Sequence, residues 1–326
     1  MTVIKKLLRN PTSLIGIILL VGFVIIALLA PVLAPPPENA RDVYMIPRDG
    51  FNTQPQPPSP EHKLGTTEGQ FDIYYGVIWG TRTAFRVGVV ITLLTTLIGL
   101  TIGSLAGFYG GWLDEVLMRL TEIFQAFPFL LAAITLTSVL QTVYGRGEAN
   151  FLVMTAKGLA LLTFGHNPSQ DLDPIQLQIL TGMLAIIAFG WMGYARVIRG
   201  NILSVKEYEY ALAARLVGAS DMRILGRHLL PNAVFPVLVL ASMDIGSYVL
   251  TFASLSFLGL GAQRGYADWG QMISFARNWI PSLADHWYIV VYPGLAIVLF
   301  VLSWNLVGDA LRDILDPRMR GRGTGL

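Results

Sequence analysis

The run EYEYALAARLVGASDMRILGRHLLPN, residues 207–232, is a polar, Arg-studded segment between two long apolar stretches. Ala213, Ala214, Gly218 and Ala219 are small enough for a second backbone to come close. Glu207 and Glu209 precede them, and Leu212 stands directly before the alanine pair. Ser220 is placed to cap a helix, and Asp221 puts negative charge at its start, where the helix dipole favours it. Met222, Leu225 and Leu229 recur at helical spacing as one apolar stripe, with Arg223 and Arg227 four apart on a more polar face. Leu230-Pro231 then opens the next apolar stretch. A loop that only joined two spans would need none of this order. The segment reads as two short helices, 210–217 and one starting after Ser220, bent at Gly218 and protruding to meet a partner surface whose orientation the charged flanks fix.

The flanks of that run set the class. Hydrophobic residues make up 53% and charged residues 13% of 326 residues, against about 25% charged in soluble domains. A spanning helix needs roughly 20 apolar residues. Residues 14–33, 87–109, 123–144, 175–194, 234–258 and 288–307 meet that length, and only 234–258 carries an acid deep within it, Asp244. Continuous apolar runs of this length satisfy their backbone as helices rather than as a barrel. The expected fold is an all-α polytopic membrane protein with six transmembrane helices in the lipid bilayer.

Charge orients these spans. Lys5, Lys6 and Arg9 precede the first. Six basic residues lie between the fourth and fifth, and Arg312, Arg318, Arg320 and Arg322 follow the sixth. With Arg119, 14 of the 23 Lys and Arg fall on one side. The positive-inside rule places both termini and the 207–232 loop in the cytoplasm of a plasma (inner) membrane protein. The first apolar run is too long for a secretory signal core and is followed by a proline-rich stretch unsuited to cleavage. The chain has no cysteine, so disulfides and thiolate metal sites are excluded. The small net charge of +2 is accounted for by membrane orientation, with no nucleic-acid partner.

Along the chain, 1–34 comprises the cytoplasmic N-terminus and first span, and 35–86 an external segment. The Pro-rich part of that segment, 35–72, is expected as an extended surface strap. Residues 72–86 mix aromatics with Arg82 and Arg86 and are expected as an interfacial helix. The core runs over 87–317, and 318–326 is a cytoplasmic tail. Gly99, Gly103 and Gly107 share a helix face and are expected to pack within the subunit. Pro128 is expected to kink span three or to mark its first turn. Residues 145–174 form an outward insertion expected as a surface-lying or re-entrant helix, closed by Asn167-Pro168 and Asp173-Pro174. Trp269, Trp279 and Trp287 in the last outward loop fit an interface belt.

The 207–232 run resembles the coupling loop of ABC-importer permeases: Glu-Ala-Ala, three residues, Gly, nine residues, a variable apolar position, one residue, Leu-Pro. Ala213, Ala214, Gly218, Leu230 and Pro231 fall in register. Leu212 stands where the family usually has Glu, and His228 at the variable position. Either Glu207 or Glu209 takes over that carboxylate, or the contact here is apolar. The resemblance extends over most of 62–317. HKLGTTEGQFDIYYGVIWGTR (62–82) is similar to the family's opening motif, and AGFYGGWLDEVLMRLTEIFQAFP (106–128) to its joint between spans two and three. SLSFLGLGAQ (254–263) with Asp268-Trp269-Gly270, and PGLAIVLFVLSWNLVGDALRDILDP (293–317), resemble the second permease of dipeptide, oligopeptide and nickel importers.

That resemblance implies the type I ABC importer permease fold, six helices and alternating access. It also implies a second homologous permease, two ABC ATPase subunits that carry ATP and Mg, and an external substrate-binding protein. The chain itself has no Gly-Lys dipeptide, hence no phosphate-binding loop, and is expected to hold no cofactor and to catalyse nothing. Coupling to the ATPases is expected through 207–232. Asp244 is expected either to line the path and meet substrate amines or to make an interhelical hydrogen bond, since a charge at mid-bilayer costs about 2.5–3.5 kcal/mol. Tyr248 and Phe252 share its helix face, and Met243 is a further path candidate. Peptide is preferred over nickel because His62, His166, His228 and His286 are scattered in loops. The competing reading is an ion-coupled secondary transporter working through Asp244, which would run without an ATPase.

Overall fold

Four helix starts are written in the sequence as an Asn or Asp whose side chain satisfies an otherwise orphaned N–H. Asn10 accepts from Thr12 N–H at 3.2 Å and Asp72 from Tyr75 N–H at 2.7 Å. Asp173 accepts from Ile175 N–H at 2.9 Å and Asp268 from Gln271 N–H at 2.8 Å. Pro11 and Pro174 follow two of these caps at the first helical position, where a missing N–H costs nothing.

A computed structural model of the chain describes residues 10–40, 42–145, 150–165 and 172–315. The helices in chain order are α1 (Pro11–Leu33), α2 (Ile73–Tyr109), α3 (Gly111–Gln125), α4 (Phe129–Gly145), α5 (Asn150–Phe164), α6 (Pro174–Gly190) and α7 (Met192–Val205). After them come α8 (Glu209–Leu216), α9 (Asp221–Arg223), a π-helical segment Ile224–Leu229, α10 (Leu230–Ala233), α11 (Phe235–Phe257), α12 (Trp269–Ser274), a 3-10 segment Phe275–Ser282 and α13 (Tyr288–Leu315). Among the described residues there is no strand, only isolated bridges such as Met45 with Tyr266.

Among the described residues five helical stretches are long and apolar enough to cross a bilayer: Pro11–Leu33, Ile73–Tyr109, Pro174–Val205, Phe235–Phe257 and Tyr288–Asp313. The sixth is broken. α3 and α4 meet at 87°, so the continuous span expected over 123–144 is corrected to two helices. Pro128, with no N–H to donate, sits at the joint. A second correction concerns 72–86. No separate interfacial helix exists, because α2 runs unbroken from Ile73. Its aromatic start packs into protein: Tyr75 and Trp79 are buried, and Trp79 Nε1 donates to Ala34 O at 2.8 Å.

α2 is the central element. It lies along α7 and α11, and α13 packs between α11 and α1. Gly99, Gly103 and Gly107 make the α2–α7 contact. A Cβ at 99 would lie 2.6 Å from Trp191 O, one at 107 would lie 2.9 Å from Arg199 O, and one at 103 would overlap Ala195 O. The stripe packs within the subunit, as its spacing predicts.

The 35–72 segment is non-helical as expected, but it is more than a surface strap. Tyr44, Ile46 and Phe71 are buried. Ala267 N–H donates to Tyr44 O at 2.7 Å and Ile46 N–H to Gly265 O at 2.8 Å. Its aromatic content makes the difference: Tyr44 stacks on Tyr266 with centroids 5.6 Å apart. Trp269 likewise leaves the expected interface belt. It is 2% exposed and donates to Val77 O at 3.1 Å, whereas Trp287 is 45% exposed. Glu68 ties this cap together, accepting from Arg264 at 2.8 Å and Asn278 at 2.9 Å. Burial raises its pKa, but hydrogen bonds from Asn278, Arg264 and Trp279 outweigh that and hold it below the usual carboxylate range.

Asp268 is buried at the head of α12, and burial pushes its carboxyl up to about 6 against the hydrogen bonds it accepts. In an unfolded chain it titrates near 3.9. Between those values the unfolded chain has lost the proton and the folded one keeps it. Stability therefore falls as pH rises from about 4 to about 6, by roughly 3 kcal/mol, and levels off above. Asp268→Asn retains a capping oxygen and removes this contribution. We expect the melting temperature of the variant to fall less between pH 4 and 7 than that of the wild type; equal slopes would refute the assignment.

Within the insertion, α5 packs on α6, with Ala156, Leu159 and Ala160 buried. The breakers at Asn167-Pro168, His166, the basic residues Lys5, Lys6 and Arg9, and the tail 318–326 lie outside the described residues.

Candidate coupling surface and transport path

α8 ends in a Schellman motif. Ala219 N–H donates to Ala214 O at 3.1 Å and Gly218 N–H to Arg215 O at 3.0 Å, with Gly218 at φ +79°. That left-handed backbone requires glycine and turns the chain by the bend the sequence predicts. Ser220 follows at the N-cap position in extended conformation, but its side chain makes no capping bond, and Asp221 occupies the first turn.

The apolar stripe Met222, Leu225, Leu229 is corrected. Leu225 and Leu229 are buried with Ile224, while Met222 is 67% exposed. The reason is the π-helical segment Ile224–Leu229, which changes the angular step between side chains ahead of Pro231, a residue with no N–H to give the preceding turn.

The two arms enclose a groove of about 480 Å³, lined by Tyr210, Ala213, Ala214, Val217, Gly218, Ala219, Arg223 and His228. Ala211 and Ala214 are buried and anchor α8, whereas Ala213, Pro231 and Arg223 face outward, as do Glu207 and Glu209. Leu212 is 44%, Leu216 89% and Val217 83% exposed. The spacing of small residues pointed to the groove; the apolar tip at Leu216, Val217 and Met222 was missed, although its signal is present as large apolar side chains inside a polar loop.

The loop and the helices that lead into it are tied together at several points. Arg199 clamps Asp114 through two hydrogen bonds, Nη2 to Oδ2 at 2.6 Å and Nε to Oδ1. Lys206 Nζ donates to Gly107 O at 3.1 Å, and Asn201 to Ala233 O at 2.9 Å. The Arg215 guanidinium lies 5.8 Å from the Phe108 ring centroid. Of these contacts, the Arg215–Phe108 contact joins α8 itself to α2, while the Arg199 and Lys206 bonds join α7 to α3 and α2.

Within the spans, Tyr194 donates to Asp244 at 2.6 Å, an α7–α11 hydrogen bond, and Tyr248 donates to Gly190 O at 2.9 Å. Asp244 is half-buried. Phe252 is buried against Gly182 of α6, and half-buried Met243 faces Gly308 of α13. Only Asp244 and Tyr248 therefore meet in one polar cluster. A separate aromatic groove of about 250 Å³, lined by Phe124, Phe127, Phe129 and Phe189, opens at the break between α3 and α4. Among the described residues no group of three or more His, Asp or Glu is placed to hold a metal.

Comparison with known proteins meets this geometry. The family described as "Binding-protein-dependent transport system inner membrane component" matches residues 99–321, and the "N-terminal TM domain of oligopeptide transport permease C" matches residues 2–58. The chain is 32% identical over 316 residues to the dipeptide transport system permease protein DppC of Alkalihalophilus pseudofirmus, covering 97% of this chain and 89% of that one. It is 36% identical over 282 residues to the glutathione transport system permease protein GsiD of Pectobacterium atrosepticum, covering 85% and 81%. It is 31% identical over 311 residues to the oligopeptide transport system permease protein OppC of Bacillus subtilis, covering 95% and 87%. The family match and these relatives favour the permease reading over the ion-coupled alternative: the chain belongs to the type I ABC permeases that form the inner membrane component of binding-protein-dependent transport systems.

Proposed function

We propose that this chain is one of two homologous permease halves of an ATP-driven importer of di- or oligopeptides. Both termini and the 207–232 loop face the cytosol. Two ATPase subunits, which bind ATP and Mg, serve the two halves, one of them seated on the groove between α8 and α9 of this chain, and an external binding protein delivers substrate to the opposite face. Ala213, Gly218 and Ala219 admit the ATPase backbone above the buried Ala214, and Glu207, Glu209, Asp221 and Arg223 orient it. Leu212 has no carboxylate to offer, and with Leu216 and Val217 it makes the contact apolar here. The peptide assignment is supported by relatives named for dipeptide, oligopeptide and glutathione transport.

The observation that supports the coupling role is an exposed groove whose ends are tied to the spans, by Arg215 of α8 over the Phe108 ring of α2 and by Asn201 of α7 on Ala233 O. ATPase closure moves the paired loops, and that motion reorients α2, α3 and α7. In this scheme Asp244 lines the central path beside Tyr248, while Met243 and Phe252 pack against α13 and α6 behind it, and its carboxylate meets the substrate amine in one state and Tyr194 in the other, since a switch needs a ligand that binds its two states differently. Reconstituted vesicles with the second permease, the ATPases and the binding protein should accumulate labelled dipeptide only when ATP is supplied. Accumulation driven by an ion gradient without the ATPases would overturn this function.

A further inference from the structure

α2 is longer than a bilayer needs. Its 37 residues span about 55 Å against a hydrocarbon core of about 30 Å. The apolar part lies from Val87 onward, so the surplus is the Ile73 end, and Arg82 and Arg86 fall where helix leaves hydrocarbon for headgroups. They are four apart and share a face. Both are half-buried in a groove of about 270 Å³ between α1 and α2, with Val24, Ala27, Leu28 and Phe85 as its walls.

Each guanidinium rests against a buried aromatic ring. Arg82 lies 5.2 Å from the Trp79 centroid and Arg86 4.5 Å from that of Tyr44. Among the described residues neither makes an ion pair or a hydrogen bond. The neighbouring acids are committed elsewhere: Asp42 accepts from Tyr44 N–H at 2.9 Å, and Asp268 caps α12. Two oriented cations with free donors, at the edge of hydrocarbon, leave a strong unfilled demand for an oxyanion with several acceptors. The walls beneath them are open to lipid, with Leu28 69% and Val24 40% exposed.

We propose that this groove binds an anionic phospholipid, its phosphodiester held by Arg82 and Arg86 and an acyl chain laid along Val24 and Leu28. The bound lipid mortars α1 to α2 at the level where the cap formed by Tyr44 and Tyr266 begins. The purified complete transporter, stripped of lipid and titrated with phosphatidylglycerol, phosphatidylcholine or inorganic phosphate, tests this by native mass spectrometry. The wild type should retain one more phosphatidylglycerol per chain than the Arg82→Gln/Arg86→Gln variant, whose affinity should fall about tenfold or more, with Arg82→Lys/Arg86→Lys intermediate. Equal lipid counts in wild type and Gln variant, equal retention of phosphatidylcholine, or displacement of the lipid by millimolar inorganic phosphate would overturn it. Should the Gln variant fail to fold, a photoreactive phosphatidylglycerol on the wild type decides: labelling within 24–28 and 82–86 supports the site, and labelling confined to other helices refutes it.

Discussion

Leu216→Asp combined with Val217→Asp should abolish capture of the ATPase subunits while leaving the permease itself folded. Both side chains project from the end of α8, 89% and 83% exposed, so charges placed there are solvated in the free chain. In the assembled complex the same charges would be desolvated against an apolar partner surface. Central apolar contacts carry about 2–4 kcal/mol each and an unpaired buried charge adds to that, which predicts at least a thousandfold weaker association. Co-purification of the ATPases with tagged permease is the measurement, and the melting temperature of the isolated variant is its control. Capture at wild-type levels would show that the tip is not the contact. The changes avoid Ala214 and Gly218, whose burial and left-handed backbone would confound docking with misfolding.

Gly103→Val is expected to have the largest effect on the fold itself. Any Cβ there overlaps the Ala195 carbonyl oxygen, and Ile198 Cγ2 would lie only 2.5 Å away. The obstacle is backbone of α7, which no rotamer change relieves. Separating α2 from α7 would also strain the Arg199–Asp114 clamp and the Lys206 bond to Gly107 O just beyond it. Overpacking of this kind costs about 3 kcal/mol or more, enough to lose most folded protein in detergent, read as loss of the monodisperse peak in size-exclusion chromatography. Gly200→Ala, on the open side of α7 with no atom within 4 Å of its Cβ, is the matched control and should be neutral or slightly stabilising. A monodisperse Gly103→Val protein with wild-type stability would refute the close contact.

These two predictions draw on different sources. The glycine stripe was legible from its four-residue spacing alone, because close helix packing in lipid has few other solutions. The groove between α8 and α9 was legible from its small residues and from Gly218. The apolar tip was not, because large apolar side chains in a helical pattern read as a buried face, and only the tertiary structure leaves Leu216, Val217 and Met222 in solvent. The break between α3 and α4 was marked by Pro128, but its 87° angle was not. A proline reports a missing hydrogen bond, while the angle depends on what the two halves pack against.

Composition and charge along this chain were enough to determine an all-helical membrane protein and the place of five of its expected spans, since apolar length and backbone satisfaction in lipid leave little choice. Caps at Asn10, Asp72, Asp173 and Asp268 were likewise local facts, each settled within three residues. Only the tertiary structure decided that Asp244 meets Tyr194, that Asp114 meets Arg199 and that the 35–72 segment is drawn into the cap by Tyr44. Those pairings join residues 50 and 85 positions apart in the first two cases. Their geometry is set by how whole helices cross, and no local pattern encodes that.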